Sequence, residues 1–179
     1  TTTLKACMGI ITITEGDILL DGISVVKEPI VCKRKMAYVP DTPRLEEYMT
    51  GMQYLNFVCD IYQISAKERK QNIERLIHAF QMEPHISSLI SSYSHGMKQK
   101  VALIAAFSHN PKLLVLDEPF VGLDPEAFIA LKEQMKMLCR KGSSILFSSH
   151  ILDVVEKLCN IISIIKDGRL LYSGTTEEI

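Results

Sequence analysis

The stretch Leu113-Leu114-Val115-Leu116-Asp117-Glu118 decides the fold of this chain. Its four leading residues form a continuous apolar run, which is typical of a strand buried on both faces of a parallel sheet. Two carboxylates follow at once, and open α/β sheets bind their ligands at the carboxyl ends of such strands. An acidic pair after a strand is equally compatible with a solvated turn. The rest of the chain therefore has to decide between a binding site and a turn.

The segments after this strand predict an α/β fold. A helix starts at Asp124-Pro125, because an N-cap residue is followed by proline at the first helical position. A strand over 144–147, a helix over 151–158 and a strand over 161–165 follow, and this alternation is typical of a helix-covered parallel sheet. The turn Asp167-Gly168 then predicts a small antiparallel hairpin.

The segments before it add a second hairpin and a group of helices. Asp21-Gly22 predicts a hairpin turn, and a short strand covers 36–39. Thr50 and Gln53 form a capping box at the start of a helix. No strand signal interrupts the helical segments that follow, so we expect them to form a lobe, about 44–107, inserted beside the sheet.

Composition limits the classes of function. The chain has 179 residues with 47% hydrophobic and 23% charged residues, as in an ordinary globular domain. A net charge of -1 argues against a bulk electrostatic grip on nucleic acid. The five cysteines are odd in number and never spaced C-x-x-C, which favours reduced thiols over a disulfide frame or a zinc site. No apolar run approaches the ~18–20 residues that cross a bilayer.

The acidic pair suits phosphate chemistry. Asp117 is placed to hold magnesium through its water shell, while Glu118 is placed to orient a water molecule against a phosphate. Help of this kind from a general base contributes ~10²–10⁴ in rate. The arrangement is that of a Walker B motif followed by an acid suited to hydrolysis.

Three further patches stand in a fixed order around this pair. In Tyr93-Ser94-His95-Gly96-Met97-Lys98-Gln99-Lys100, Ser94 offers a hydroxyl and Gly96 an unshielded backbone N–H at a helix start, which suits an anion. Leu123-Asp124-Pro125 follows the acidic pair, and His150 ends the next strand. Taken singly, each patch has an ordinary structural explanation, such as a serine N-cap or a surface histidine.

Together, the four patches resemble the signature motif, Walker B, D-loop and H-switch of the ABC ATPase family. The resemblance covers essentially all of residues 1–179, as a single nucleotide-binding domain with a P-loop NTPase-like core and an inserted helical lobe. In that family, two domains sandwich two ATP molecules head to tail. The resemblance implies that Ser94 and Gly96 contact the γ-phosphate held by the opposite domain, that Asp124 crosses the interface, and that His150 bonds a γ-phosphate oxygen.

The amino end departs from the family pattern. Thr1-Thr2-Thr3-Leu4-Lys5 resembles the residues just after the lysine of the phosphate-binding loop, so Thr1 would be the magnesium-binding hydroxyl and Thr2 a phosphate contact. The glycines and the lysine of that loop (Walker A) are absent from the sequence. We expect the sequence to be incomplete here, and the piece as it stands to be inactive. A naturally degenerate domain is the alternative.

A second departure is Asp41. The segment 37–41 resembles the family's Q-loop, in which glutamine follows the proline, and here Asp41 would contact both nucleotide and magnesium. A turn residue between two prolines is a nearly even alternative. With Y-S-x-G-M-K-Q, the Pro-Asp variant resembles exporters that have ABC-2-type membrane partners. By the same resemblance, the region about 42–62 receives the coupling helix of the membrane subunit.

The resemblance therefore implies an ATPase subunit of an ABC transporter, of the exporter type, that binds ATP and Mg²⁺. Its partners would be a transmembrane permease and a second nucleotide-binding domain, in a homo- or heterodimer, with no nucleic acid. It would lie peripherally at the cytoplasmic face of the cell membrane. Two alternatives remain open, namely a soluble ABC ATPase of translation or repair, and an inactive cassette that has lost its phosphate loop.

Overall fold

The computed structural model describes residues 1–176, so the last three residues of the domain predicted over 1–179 lie outside the described range. The chain divides into two units, Thr1–Ser148 and the part from Ser149 onward. The elements of the first unit are, in chain order, α1 (Thr2–Cys7), β1 (Leu19–Leu20), β2 (Ile23–Ser24), α2 (Pro29–Lys33), β3 (Met36–Val39), α3 (Gly51–Ile61), α4 (Ala66–Ala79), a 3-10 turn (Ile90–Ser92), α5 (His95–Ser108), β4 (Leu113–Asp117), α6 (Pro125–Arg140) and β5 (Ser144–Ser148).

The predicted buried strand, β4, is the middle strand of a parallel sheet with the order β3-β4-β5. Leu114, Val115 and Leu116 are completely buried in it. Val39 of β3 pairs with Leu116, and Ser148 of β5 pairs with Asp117. Because the three strands are parallel, the residues that follow them all emerge at one edge of the sheet.

One part of the predicted strand alternation is wrong. The prediction placed 161–165 both in the parallel sheet and in a hairpin with 169–173. In the described residues only the hairpin is present, with Ile161–Lys166 antiparallel to Arg169–Thr175. The Asp167-Gly168 turn brings these two strands together at once, with φ of 50° and 74° at its two residues. The third parallel strand is instead β3, which is separated from β4 along the chain by the helices.

Helix α5 links the helices to the sheet. It contacts α3, α4, α6 and β3, and its residues from Gln99 to Ser108 are all buried. Only its first turn, beginning after the N-cap Ser94, reaches the surface. Since the body of α5 is held on several sides, the position of this first turn is determined by core packing.

A smaller apolar cluster supports the start of the chain. Leu4 of α1 and the C-cap residue Met8 pack with Val25, Cys32 and Val115. Cys32 belongs to α2, a helix that sequence reasoning missed although Pro29 stands at its first turn. At five residues, α2 is too short to show helical periodicity in the sequence.

The second unit contains α7 (Leu152–Leu158), β6 (Ile161–Lys166) and β7 (Arg169–Thr175). The hairpin that sequence analysis predicted here is present, and it has a register irregularity between Ile164 and Ile165. Across residues 1–176, the cysteines are free thiols, and none of the helices has the length and apolar character needed to cross a membrane.

The capping box at the start of α3 offers a test of the local fold. Thr50 Oγ1 accepts a hydrogen bond from Gln53 N, and Gln53 Oε1 accepts one from Thr50 N. We expect Thr50→Ala to lower the free energy of unfolding by about 1 kcal/mol, because the cap of α3 is lost. Thr50→Ser keeps the hydroxyl and serves as the control. Equal stability of the two variants in urea denaturation would contradict the assignment.

Candidate functional site

Asp117 is the buried end of the central strand. Its side chain is 1% exposed. Ser148 Oγ donates a 2.7 Å hydrogen bond to Asp117 Oδ1, because the register of β4 and β5 sets these two residues side by side. On the other side, Tyr38 of β3 places its hydroxyl 3.5 Å from Asp117 Oδ2. The carboxylate is therefore oriented by both neighbouring strands.

Thr1 lies next to this carboxylate. The backbone nitrogen of Thr1 is 3.6 Å from Asp117 Oδ1, and the Thr1 side chain also hydrogen-bonds to Asp117. Burial raises the pKa of Asp117, whereas hydrogen bonds from Ser148 and Thr1, together with the charge and hydrogen bond of the Thr1 amino group, lower it, and the net pKa is lowered. Asp117 therefore stays ionised at neutral pH. Thr2, the other predicted contact at this end, is the exposed first residue of α1.

Glu118 has an uncommon backbone conformation. Its φ is 48°, in the left-handed region that non-glycine residues seldom adopt, at a cost of about 1–3 kcal/mol. Two hydrogen bonds support it, from Glu118 N to Ser148 Oγ at 3.0 Å and from Val121 N to the Glu118 carbonyl at 3.2 Å. The side chain is half-buried. The conformation turns the chain sharply at the strand end, directly after Asp117.

Ser148 is a site residue that sequence reasoning did not single out. It donates to Asp117 and accepts from Glu118, so one hydroxyl holds both members of the acidic pair. The sequence indicated the segment that contains Ser148 but not the residues with which Ser148 pairs. It lies in the Phe147-Ser148-Ser149-His150 segment, but its partner depends on strand register.

The exposed residue Ser94 precedes α5, and the half-buried Gly96 lies in its first turn. Ser94 Oγ accepts a hydrogen bond from Met97 N at 3.2 Å, which makes Ser94 the N-cap. A Cβ atom added at Gly96 would lie 2.9 Å from the carbonyl oxygen of Gly122. Gly96 therefore permits a close backbone approach between the start of α5 and the loop before α6.

Asp124 caps α6 and also pairs with α5. Asp124 Oδ1 accepts a 2.8 Å hydrogen bond from Ala127 N, and Asp124 Oδ2 lies 2.5 Å from Lys100 Nζ. The hydrogen bond from Lys100, followed by the one from Ala127, lowers the pKa of Asp124. Lys100, which is 9% exposed, was not predicted as a site residue, because an isolated lysine one turn into a helix gives no sequence signal for its partner.

Asp41 stands in the turn after β3. It is exposed, and its Oδ1 accepts a 2.8 Å hydrogen bond from Thr42 N, as a turn residue does. Its charge also acts on the neighbouring site. Burial raises the pKa of Tyr38 to about 12, and the charges of Asp117 and Asp41 contribute to the increase. Asp41 thus makes a local hydrogen bond, and its charge also acts on Tyr38.

His150 belongs to the second unit. It is an exposed residue two positions after the end of β5. Of the other predicted site residues, the first unit brings Thr1 next to Asp117, which Glu118 follows in the chain. It also brings Gly96 next to the loop that precedes Asp124.

The oxygen donors around Asp117 fit the coordination chemistry of magnesium. Among residues 1–176, no group of three or more His, Cys, Asp or Glu side chains could hold a metal ion. Magnesium prefers oxygen ligands and keeps several waters, and it is commonly bound by one or two carboxylates together with substrate phosphates. The Asp117 carboxylate and the neighbouring Thr1 hydroxyl are oxygen donors of this kind.

Comparisons with known proteins agree on one family. The sequence model of the family described as "ABC transporter" matches residues 1–121. The ABC-type transporter ATP-binding protein EcsA of Bacillus subtilis (strain 168) is 34% identical over 178 residues, which cover 99% of this chain and 72% of EcsA. The ABC transporter ATP-binding protein NatA of the same organism is 32% identical over 180 residues, which cover 100% of this chain and 73% of NatA.

A solved structure is similar along nearly the whole chain. It is described as the structure of the ATP binding subunit of an ABC transporter, and it superposes with a TM-score of 0.95 at 37% sequence identity. The match covers 99% of this chain and 74% of the solved one. At this similarity the predicted fold class, an α/β core with a parallel sheet and a small antiparallel part, is confirmed.

Replacing Ser148 tests how the acidic pair is held. We expect Ser148→Ala to lower the free energy of unfolding by about 1–3 kcal/mol at pH 7, because the Asp117 carboxylate loses a donor and Glu118 N loses its acceptor. Ser144→Ala, an exposed position at the other end of β5, is the matched control. Two variants of equal stability in chemical denaturation would show that Ser148 does not support the pair.

Proposed function

Because this chain belongs to the ABC transporter family, and the relatives that it matches are ATP-binding proteins, we propose that it hydrolyses ATP to drive a membrane partner. The observation that carries the proposal is the acidic pair after β4. Asp117 is buried and oriented by Ser148, and Glu118 follows in a strained turn held by the same hydroxyl. A solvated turn needs neither burial nor strain, so the geometry favours a reactive site.

The two carboxylates have different tasks in this proposal. Asp117, whose lowered pKa keeps it charged, would hold magnesium through its water shell together with the Thr1 hydroxyl. Magnesium bound there supplies positive charge that neutralises phosphate oxygens. Glu118 would orient the attacking water and accept its proton. Ser148 limits the motion of both groups by binding one side chain and the other backbone nitrogen.

A second copy of the domain would complete the site. Ser94 uses a lone pair to accept from Met97 N, so its hydroxyl proton remains available to donate to a phosphate oxygen. The start of α5 also carries the positive end of a helix dipole. We propose that Ser94 and Gly96 contact the γ-phosphate of ATP held by the opposite copy, and that Asp124 crosses the same interface.

Three further contacts belong to the proposal. Thr2 and Asp41 would contact the nucleotide, with Asp41 also reaching magnesium, and His150 would donate a hydrogen bond to a γ-phosphate oxygen. Support for Asp41 is that its charge acts on Tyr38, whose hydroxyl lies 3.5 Å from Asp117 Oδ2. Support for His150 is its place two positions after the end of β5, the strand that orients Asp117.

The membrane partner would dock on the helices before α5. We propose that 44–107 is a helical subdomain and that a permease contacts its first part at the cytoplasmic face of the membrane. Large apolar side chains are exposed there, with Tyr48 at 73%, Phe57 at 43% and Ile61 at 59%. The Pro40-Asp41 turn and the Tyr93–Lys100 segment favour the exporter type of transporter.

Replacing Glu118 tests the hydrolytic role. In the full-length protein, we expect Glu118→Gln to retain ATP binding and to lower the hydrolysis rate by ~10²–10⁴, because the amide cannot accept a proton from water. ATP should then accumulate in a dimer, which gel filtration detects. Glu133→Gln, an exposed change of the same charge on α6, is the control. Unchanged turnover of Glu118→Gln would remove Glu118 from this role.

The coding sequence ahead of Thr1 tests the two alternatives. We expect it to encode G-x-x-G-x-G-K directly before Thr1, because a triphosphate needs that loop as its cradle. We also expect a neighbouring gene for a six-span membrane protein. Absence of the encoded loop would favour the inactive cassette. A single chain with two cassettes, or a coiled coil within the cassette, would favour the soluble type.

A further inference from the structure

The loop before α6 and the start of α5 are joined at two places within one copy of the chain. The first is a backbone contact. Gly96 faces the carbonyl oxygen of Gly122, and the ring of His95 lies against Gly122, where an added Cβ would be 3.0 Å from His95 Cδ2. Gly122 itself has φ of +78°, which suits glycine. A side chain at Gly96 or at Gly122 would therefore collide with the other segment.

The second contact is an ion pair that lies away from the exposed turn. Lys100 is one turn further into α5 than Gly96, and its side chain is 11% exposed. Lys100 Nζ lies 2.5 Å from Asp124 Oδ2, while Asp124 Oδ1 accepts from Ala127 N. Both oxygens of Asp124 are thus occupied, one by α5 and the other by the first turn of α6.

The same loop is connected to the acidic pair. Val121 N donates to the carbonyl of Glu118, and Glu118 N donates to Ser148 Oγ. A continuous series of contacts therefore runs from the first turn of α5, through Lys100 and Asp124, back along the loop to Glu118. Loss of the ion pair would remove only one of the two contacts between the loop and α5, because the contact between Gly96 and Gly122 would remain.

We propose that Lys100 is a positioning residue that holds the loop 119–124 on the start of α5, so that Ser94 and Asp124 are presented to a second copy of the chain as one rigid surface. The proposal rests on the proposed function, since the second copy supplies the nucleotide that this surface covers. Lys100 does not touch the nucleotide, and it acts through Asp124.

Burial makes the pair sensitive to the removal of either charge. A buried ion pair contributes little net stability, but one partner left alone retains the cost of its desolvation. Lys100→Met keeps the length of the aliphatic stem and removes the ammonium group, so it separates packing from charge. Lys100→Arg keeps the charge and returns a donor to Asp124. Asp124 continues to cap α6 in both variants.

The first measurement needs no nucleotide. Amide hydrogen exchange is followed in the full-length wild-type protein and in Lys100→Met. We expect peptides covering 119–124 to exchange about tenfold faster in Lys100→Met, because the loop loses its attachment to α5. Exchange in α4 should be unchanged. Lys98→Met removes a neighbouring ion pair, from Lys98 Nζ to Glu47 Oε1 at 2.6 Å, and should leave exchange in 119–124 at the wild-type rate.

The second measurement is steady-state ATP hydrolysis. We expect Lys100→Met to lower kcat about tenfold with little change in KM for ATP, since misplacement by about 1 Å costs up to ~10²-fold while the nucleotide is held by the other copy. Lys100→Arg should restore most of kcat and normal exchange in 119–124. Recovery by arginine separates a charged attachment from simple loss of packing.

The outcomes decide between the alternatives. Unchanged exchange in 119–124, or unchanged kcat, in Lys100→Met overturns the proposal. Faster exchange throughout the protein, including α4, shows a general structural role and also overturns it, as does failure of Lys100→Arg to restore either property. A wild-type protein without ATPase activity overturns the proposed function, whereas the exchange results still decide whether Lys100 attaches the loop.

Discussion

The hydrogen bonds of Ser148 are the interaction on which the site depends. Parallel pairing of β4 and β5 sets Ser148 opposite Asp117, and its hydroxyl then serves both the Asp117 carboxylate and Glu118 N. A shift of one residue between the strands would turn Ser148 to the other face of the sheet and leave the strained turn at Glu118 without its acceptor. The geometry of the acidic pair is therefore a consequence of strand register.

Helix α5 fixes the position of Ser94 and Gly96, the residues that we propose to contact the nucleotide of a second copy. Its body is buried against α3, α4, α6 and β3, so its exposed first turn cannot move independently of the core. Lys100 and Gly96 then bring the loop before α6 to that turn. The residues that we propose to face a second copy are thus carried at the start of a helix whose body, from Gln99 to Ser108, is buried.

Signals between neighbouring residues, such as caps and turns, predicted most helices and strands. They did not show which strands, distant along the chain, form the parallel sheet. Capping at Thr50 and Asp124 marked two helices correctly, because a cap is formed by residues three positions apart. The hairpin of 161–165 with 169–173 was predicted correctly from its turn, whereas the assignment of 161–165 to the parallel sheet was wrong. Helix α2 was missed since five residues carry too little periodicity.

By itself, the sequence determined the order of the motifs, the ends of most helices, the buried strand and the acidic pair, because these depend on neighbours along the chain. Only the tertiary structure decided which strand lies beside β4, that Ser148 serves both Asp117 and Glu118, and that Lys100 pairs with Asp124. Those contacts join residues 24 or more positions apart, and their geometry depends on register and on helix packing. A sequence pattern records which side chains are present, whereas packing decides which of them meet.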